Sequence, residues 1–153
     1  MLNIRSASAD EHEVLSDLAA KAEGYWGYDE EYMEKFKSTY RLTEKFISSY
    51  PTYVLERGGE IIGFYSIEIR EVETSLEYFF IKPEFIGSGY GRLLWNHLIL
   101  RCKELGIKEF SIVTSPHAKE FYIKMGAILI GEVESLLIKG RRIPSFVYRL
   151  TDE

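Results

Sequence analysis

The sequence lacks most of what would place a protein outside the cytosol or on a polyanion. It has a single cysteine, Cys102, so no intramolecular disulfide can form and a reducing compartment is expected. It has no run of about 18 apolar residues, so no membrane-spanning helix is expected. Residues 1–8 are short and mixed, unlike a secretory leader. Positive charge is not in excess: 19 Lys and Arg stand against 24 Asp and Glu, a formal net charge of −5. Nucleic-acid binding as a main role is thereby disfavoured, because neutralising phosphates needs a basic face. No repeat and no low-complexity linker interrupts the chain. These absences predict a cytoplasmic protein with one domain over residues 1–153, and no partnership with nucleic acid or membrane.

What is present is a globular composition, 46% hydrophobic and 28% charged, rich in Tyr (11) and Phe (9). Those rings can fill a core or line a pocket. Leu2 to Arg5 reads as a short strand. A helix over Glu11 to Glu23, capped by Ser8 or Asp10, carries Val14, Leu15, Leu18, Ala19 and Ala22 on one face. Gly24 and Gly27 break it. Asp29 can cap a second helix with Tyr32, Met33, Phe36 and Tyr40, and Thr43 a short third one ending before Pro51. The period then changes. Thr52 to Glu56 and Glu60 to Arg70 flank Gly58-Gly59, a hairpin signal, and Ser75 to Lys82 follows as a third antiparallel strand. A long helix runs to about Leu105, with Leu94, Trp95, Leu98, Ile99, Cys102 and Leu105 as its buried stripe, so Cys102 reads as a packed thiol. A strand over Glu109 to Thr114, a helix ending at Gly126, and strands over Ile128 to Val133 and Phe146 to Leu150 around a "KGRRIP" loop complete the order. The pattern is α/β (α+β): a mixed sheet flanked by helices.

Between the third strand and the long helix lies "KPEFIGSGYGRLLW", with Gly87, Gly89 and Gly91. It is not the dinucleotide fingerprint G-x-G-x-x-G, whose last glycine falls on Arg92 or Leu94, and it is not a Walker A loop, which needs Gly-Lys-Ser/Thr. Glycine backbones at a helix start can still turn their N–H groups toward one anionic group such as a pyrophosphate, aided by the helix dipole. A tight turn with no ligand is the other reading.

"IKPEFIGSGYGRLL" resembles the central motif of the GNAT superfamily of N-acetyltransferases, Arg/Gln-x-x-Gly-x-Gly/Ala at a helix start, with Ile86 standing at the Arg/Gln position. "SPHAKEFYIKMGA" resembles the family's later motif: Ala118, Phe121, Tyr122, Lys124 and Gly126 match, and Ser115 stands where Asn is commoner. The two occur in the family's order, and the order of elements matches over nearly the whole chain. The resemblance implies a mostly antiparallel GNAT-like sheet splayed between the strands around 75–82 and 109–114. It implies acetyl-CoA as co-substrate and no metal. The pyrophosphate would meet the loop over Ile86, Gly87, Ser88, Gly89, Tyr90, Gly91 and Arg92, and the pantetheine arm the backbone of Phe79, Phe80 and Ile81, with Ser115 and Tyr122 alongside. Tyr122 matches the tyrosine that protonates the departing thiolate, and the N–H of Ile81 or a neighbour would stabilise the oxyanion.

Acetyl transfer to an amine also needs a neutral nitrogen, and an alkylammonium has a pKa of about 10.4. Positions where some family members carry a basic Glu hold Ser75 and Phe110 here. Glu77, two residues beyond Ser75 on the same side of the strand, is the candidate base; Glu68 and His117 are the further candidates, and use of no dedicated base stays open. The acceptor is expected between the early helices and the last hairpin, against Tyr25, Trp26 and Tyr28 of "EGYWGYDEEY", where aromatic rings and carboxylates suit a cation. Arg141 and Arg142 of "GRRIPSF" would instead favour an acidic group on the acceptor. The leading reading is an acetyl-CoA-dependent N-acetyltransferase acting as monomer or homodimer on a small-molecule or peptide amine. A non-catalytic acyl-CoA sensor and an enzyme using another acyl donor remain beside it.

Overall fold

The computed structural model describes residues 1–151. Seven strands form one sheet in the order β1-β2-β3-β4-β5-β7-β6. β1 (Leu2–Ser6), β2 (Thr52–Arg57), β3 (Glu60–Ile69) and β4 (Thr74–Ile81) are antiparallel neighbours. β5 (Glu109–Val113) lies parallel to β4, and β7 (Arg142–Arg149) pairs antiparallel with both β5 and the edge strand β6 (Ile128–Glu134). The sheet is therefore mixed and mostly antiparallel, with the expected splay: β4 and β5 share one register pair, Ser75 with Ser111.

Helices cover both faces, and the capping residues fall where the sequence places them. On one face lie α1 (His12–Gly24), α2 (Glu30–Thr39) and α3 (Glu44–Ser49). The Asp29 carboxylate accepts from the Tyr32 N–H at 2.9 Å, and Thr43 Oγ1 from the Phe46 N–H at 3.1 Å. A short 3-10 turn, Ala9–Glu11, precedes α1, so that helix begins a residue later than its apolar period suggests. Leu15, Leu18, Tyr32 and Phe36 pack there on Val54, Phe64 and Tyr78. On the other face, α4 (Tyr90–Glu104) and α5 (Lys119–Lys124) pack on Tyr65, Ile67, Leu76 and Phe110.

Trp95 is the hub of this second core. Its ring lies within 5.2–6.1 Å, centroid to centroid, of Phe79 on β4, Phe110 on β5, Tyr148 on β7 and Tyr122 on α5. Cys102 is fully buried, and burial pushes its thiol up to about 12, so it packs as a small hydrophobe and is not a nucleophile.

β7 begins at Arg142, earlier than the strand expected at Phe146, and so contains Pro144. The Pro144 carbonyl accepts from the Thr114 N–H at 3.2 Å, past the last β5–β7 register pair, Val113 with Ser145. N–H and C=O of one residue point to the same edge of a strand, so the missing proline N–H falls where β5 has already ended.

One irregularity matters for the site. Leu76 packs in the α4–α5 core, whereas Tyr78, two residues on, packs in the α1–α3 core. Plain alternation would put both on one face. The register explains it: Ile67 faces Leu76 and Ser66 faces Tyr78, leaving Glu77 as the extra residue of a β-bulge.

Candidate active site

The gap between β4 and β5 opens into a cleft of about 520 Å³. It reaches from the glycine loop and α5 on one face of the sheet to α2 and the end of α1 on the other. Beyond Ser75, the β4 edge has no strand partner, and its backbone groups on that side face the cleft.

At one end, Gly87 and Gly89 both sit at φ +86°, a left-handed conformation that side chains with a Cβ rarely adopt, and Gly89 is the N-cap of α4. Residues 86–89 form a turn, and after the Ile86 N–H, bonded to the Pro83 carbonyl at 3.2 Å, the next well-formed backbone bond runs from the Leu93 N–H to the Gly89 carbonyl at 3.2 Å. Weakly engaged donors at the start of a 15-residue helix suit an anion. A Cβ built on Gly87 or Gly89 meets nothing within 4 Å, so the space before the loop is open. Gly91 differs: its Cβ would lie 3.1 Å from Phe121 Cε1. It lets α4 approach the α5 ring, so a bulkier side chain there would strike a ring and not an incoming phosphate. These features fit the diphosphate of a coenzyme A.

Tyr122, on α5, is 4% exposed and lines the cleft among Phe79, Trp95, Phe121 and Phe146. Burial pushes its phenol further up from its ordinary range, so it stays protonated and able to donate. No protein group accepts its hydroxyl hydrogen among the described residues, and its oxygen is not sealed from the cleft.

Glu77 lines the cleft on the α2 side. Partial desolvation, the larger cause, and the neighbouring Glu68 carboxyl push it up to about 7, while Arg70 pulls the other way. The side chain keeps contact with solvent; water in the cleft moderates the first cause and leaves the second. Arg70 pairs with Glu68 at 3.4 Å and with Glu73 at 3.5 Å.

Aromatic side chains meet charge in the remaining wall. Glu23, only 7% exposed, accepts from the Tyr32 hydroxyl at 2.5 Å. Burial raises its pKa, opposed by that hydrogen bond and by Arg141 and His117. The Trp26 indole stacks on the His117 imidazole with centroids 4.7 Å apart and planes 2° from parallel, so the α1–α2 loop touches the turn before α5.

The cleft brings together Glu77, Phe79, Phe80, Ile81, Ile86, Gly87, Gly89, Gly91, Arg92, Ser115, Tyr122 and Trp26 of the residues expected from sequence. Four of the others stand outside its lining. Ser88 is exposed on the loop; Tyr90 turns to Phe85, 5.8 Å away, in the α4 core; Tyr25 is 55% exposed and only edges Trp26; Tyr28 stacks on Tyr32 behind the wall. Tyr32, Tyr40 and Ser135, unmarked as site residues in the sequence, do line it. The first two share the helical period of α2 with Phe36, which masks them as core. Among the described residues, no group of three or more His, Cys, Asp or Glu is placed to hold a metal ion, and no helix is long and apolar enough to cross a membrane.

A parallel pair parted beside a glycine-rich helix start is the arrangement that the resemblance to N-acetyltransferases implies. The fold is shared, with a TM-score of 0.79, by a PaiA N-acetyltransferase from Thermoplasma acidophilum solved in complex with coenzyme A, 20% identical over 97% of this chain and 99% of that one. YncA, a putative acetyltransferase from Salmonella typhimurium solved with acetyl-CoA, superposes at 0.70, with 15% identity over 100% of this chain and 96% of that one. A curated relative, the 5-NmdU N-acetyltransferase of Pseudomonas phage PaMx11, is 26% identical over 134 residues, 86% of this chain and 91% of the relative. The profile of the Acetyltransferase (GNAT) domain matches residues 14–134. The chain belongs to the GNAT acetyltransferase family and is an acetyl-CoA-dependent acyltransferase.

Proposed function

We propose that the protein transfers the acetyl group of acetyl-CoA directly to a primary amine bound in the α2 half of the cleft. Glu77 takes a proton from the ammonium or, through water, from the attacking nitrogen. The nitrogen then forms a bond to the thioester carbonyl carbon. Backbone N–H groups on the unpartnered edge of β4 stabilise the oxyanion. The carbon–sulfur bond breaks and Tyr122 donates its proton to the leaving thiolate. The nitrogen sheds any excess proton to water and the Tyr122 phenolate takes one up from water, so that amide, free thiol and neutral Tyr122 result. The loop at 87–92 holds the diphosphate.

The observation that carries this reading is the bulge at Glu77. It sets a carboxyl, raised from its ordinary range by partial desolvation and by Glu68, into the cleft that also holds the Tyr122 phenol. A proton acceptor and a proton donor lining one cleft favour an enzyme over a binding module. The test is thiol release from acetyl-CoA with a panel of polyamines, amino acids, aminoglycosides, peptide N-termini and 5-NmdU, with mass spectrometry of the products. An amide with stoichiometric thiol is expected. Binding of acetyl-CoA with no amine turned over would leave a sensor module in place of an enzyme, and faster turnover with propionyl- or succinyl-CoA would reassign the donor.

A further inference from the structure

The neighbours Arg141 and Arg142 part company in the structure. Arg142, at the start of β7, is exposed: its Nη2 donates to the Glu132 carbonyl at 2.7 Å and its Nε lies 3.9 Å from the Glu132 carboxylate. Arg141 lines the cleft. Its backbone is pinned on both sides, the N–H to the Ile138 carbonyl at 3.1 Å and the carbonyl by the Ser135 N–H at 2.8 Å. Its guanidinium lies over the Tyr28 ring at 5.2 Å and the Tyr32 ring at 5.9 Å, and Nη2 donates to the Tyr28 hydroxyl at 2.8 Å.

Among the described residues no carboxylate lies within 4 Å of the guanidinium; the buried Glu23 carboxyl feels its charge without forming an ion pair with it. The nearby carboxyl that could serve, Glu23, is already engaged by the Tyr32 hydroxyl. A guanidinium offers five N–H donors in a planar fork, and the neutral phenol oxygens of Tyr28 and Tyr32 beside it leave some of them over. The fork is rigidly held, half-buried between rings and open to the cleft, which is the arrangement that grips a planar or tetrahedral oxyanion.

We propose that Arg141 is the acceptor's anion anchor: the amine acetylated in this cleft carries a carboxylate or phosphate, gripped by the Arg141 guanidinium while its nitrogen lies at Glu77. The proposal rests on the acetyltransferase reading above. The two carboxyls of the wall do not contradict it, because one faces the nitrogen and the other is closed off by Tyr32.

Matched pairs of amines test it. Tryptophan against tryptamine isolates a carboxylate, and phosphoethanolamine against ethanolamine a phosphate. In wild type the anionic member of at least one pair should have the higher kcat/KM, by about tenfold or more, the scale of a charge-assisted hydrogen bond; the pair that shows it identifies the anion. The preference should vanish in Arg141→Met, recover in part in Arg141→Lys, and persist in Arg142→Met. The thermal shift with acetyl-CoA, alike in all variants, checks that they fold. Calorimetry of the anionic amines against the coenzyme A-loaded protein separates the two readings. Arg141-dependent binding without turnover keeps the anchor and removes the acetyltransferase mechanism. Turnover with no preference for either anion, or a preference that survives in Arg141→Met, overturns the anchor and leaves the mechanism standing.

Discussion

Glu77 makes the sharpest demand on the proposed chemistry, because its titration must appear in both rate and stability. A base that titrates at about 7 is ionised in about a tenth of molecules near pH 6 and nine tenths near pH 8. The value of kcat/KM should therefore rise about eightfold to tenfold across that interval, whereas a carboxyl in the ordinary range would leave it flat. The acceptor amine also loses a proton as pH rises, so two acceptors of different basicity should be compared: the limb from Glu77 stays fixed while the limb from the amine moves. Glu68→Gln removes the adjacent carboxyl that helps hold Glu77 up, and should shift the fixed limb to lower pH. Glu77→Gln should abolish the limb and lower kcat by about 10²- to 10⁴-fold. The sign for stability is opposite. The folded pKa lies above the unfolded one, so the stabilising contribution is complete below the ordinary carboxylate range and is lost as pH rises through about 7. Denaturant titrations of wild type and Glu77→Gln at about pH 5 and pH 8 should show the variant gaining relative to wild type at the higher pH. A limb unchanged in Glu77→Gln, or a stability difference that does not depend on pH, would refute the assignment of Glu77 as a base poised near neutrality.

Tyr122→Phe keeps the ring among Phe79, Trp95 and Phe146 and should lower kcat by about 10²- to 10⁴-fold; steady-state kinetics beside a cofactor titration checks this, and an unchanged kcat would return the tyrosine to packing. Saturating acetyl-CoA at about 100 times its dissociation constant should stabilise the fold by about 2.7 kcal/mol, seen as a rise in Tm that ATP does not reproduce. Gly89→Ala puts a Cβ at φ +86°, a conformation that costs about 1–2 kcal/mol, and should weaken coenzyme A binding by distorting the donors; Gly91→Ala meets Phe121 at 3.1 Å instead, so melting should register it as lost packing. Tyr32→Phe leaves Glu23 buried without its donor, and should cost about 1–3 kcal/mol in a denaturant titration.

The elements that local chemistry controls were legible in the sequence. Asp29 and Thr43 cap where their side chains reach the third N–H onward, Gly58 and Gly59 turn at positive φ between β2 and β3, and the glycine loop sits between strand and helix. The splay was legible only through resemblance, since no residue of β4 or β5 forbids further pairing by itself. Other features depend on the third dimension. Nothing in "SLEYFF" says that an extra residue enters at Glu77; that follows from the register β3 imposes. Arg141 and Arg142 are indistinguishable as letters, and the turn from Ser135 to Arg141 decides which one enters the cleft. Tyr32 looked like core and is core on one side, while its hydroxyl closes on a carboxyl nine residues earlier.

The seam between β4 and β5 has a mechanical consequence. Elsewhere the sheet is stitched by full ladders, so one strand cannot peel without tearing several hydrogen bonds. Here a single register pair joins residues 1–81 of the sheet to β5, β6 and β7. The halves are held instead by the Trp95 box, which touches β4, β5, β7 and α5 at once. Side chains therefore do across this seam what backbone hydrogen bonds do elsewhere, helped by the Leu137, Arg141–Tyr28 and Trp26–His117 contacts on the other face. A thioester arm lying in the seam would touch both banks and supply the cross-ties that the backbone omits. In such a protein the substrate is also mortar: the gap that admits it is the place where the molecule is least able to hold itself together alone.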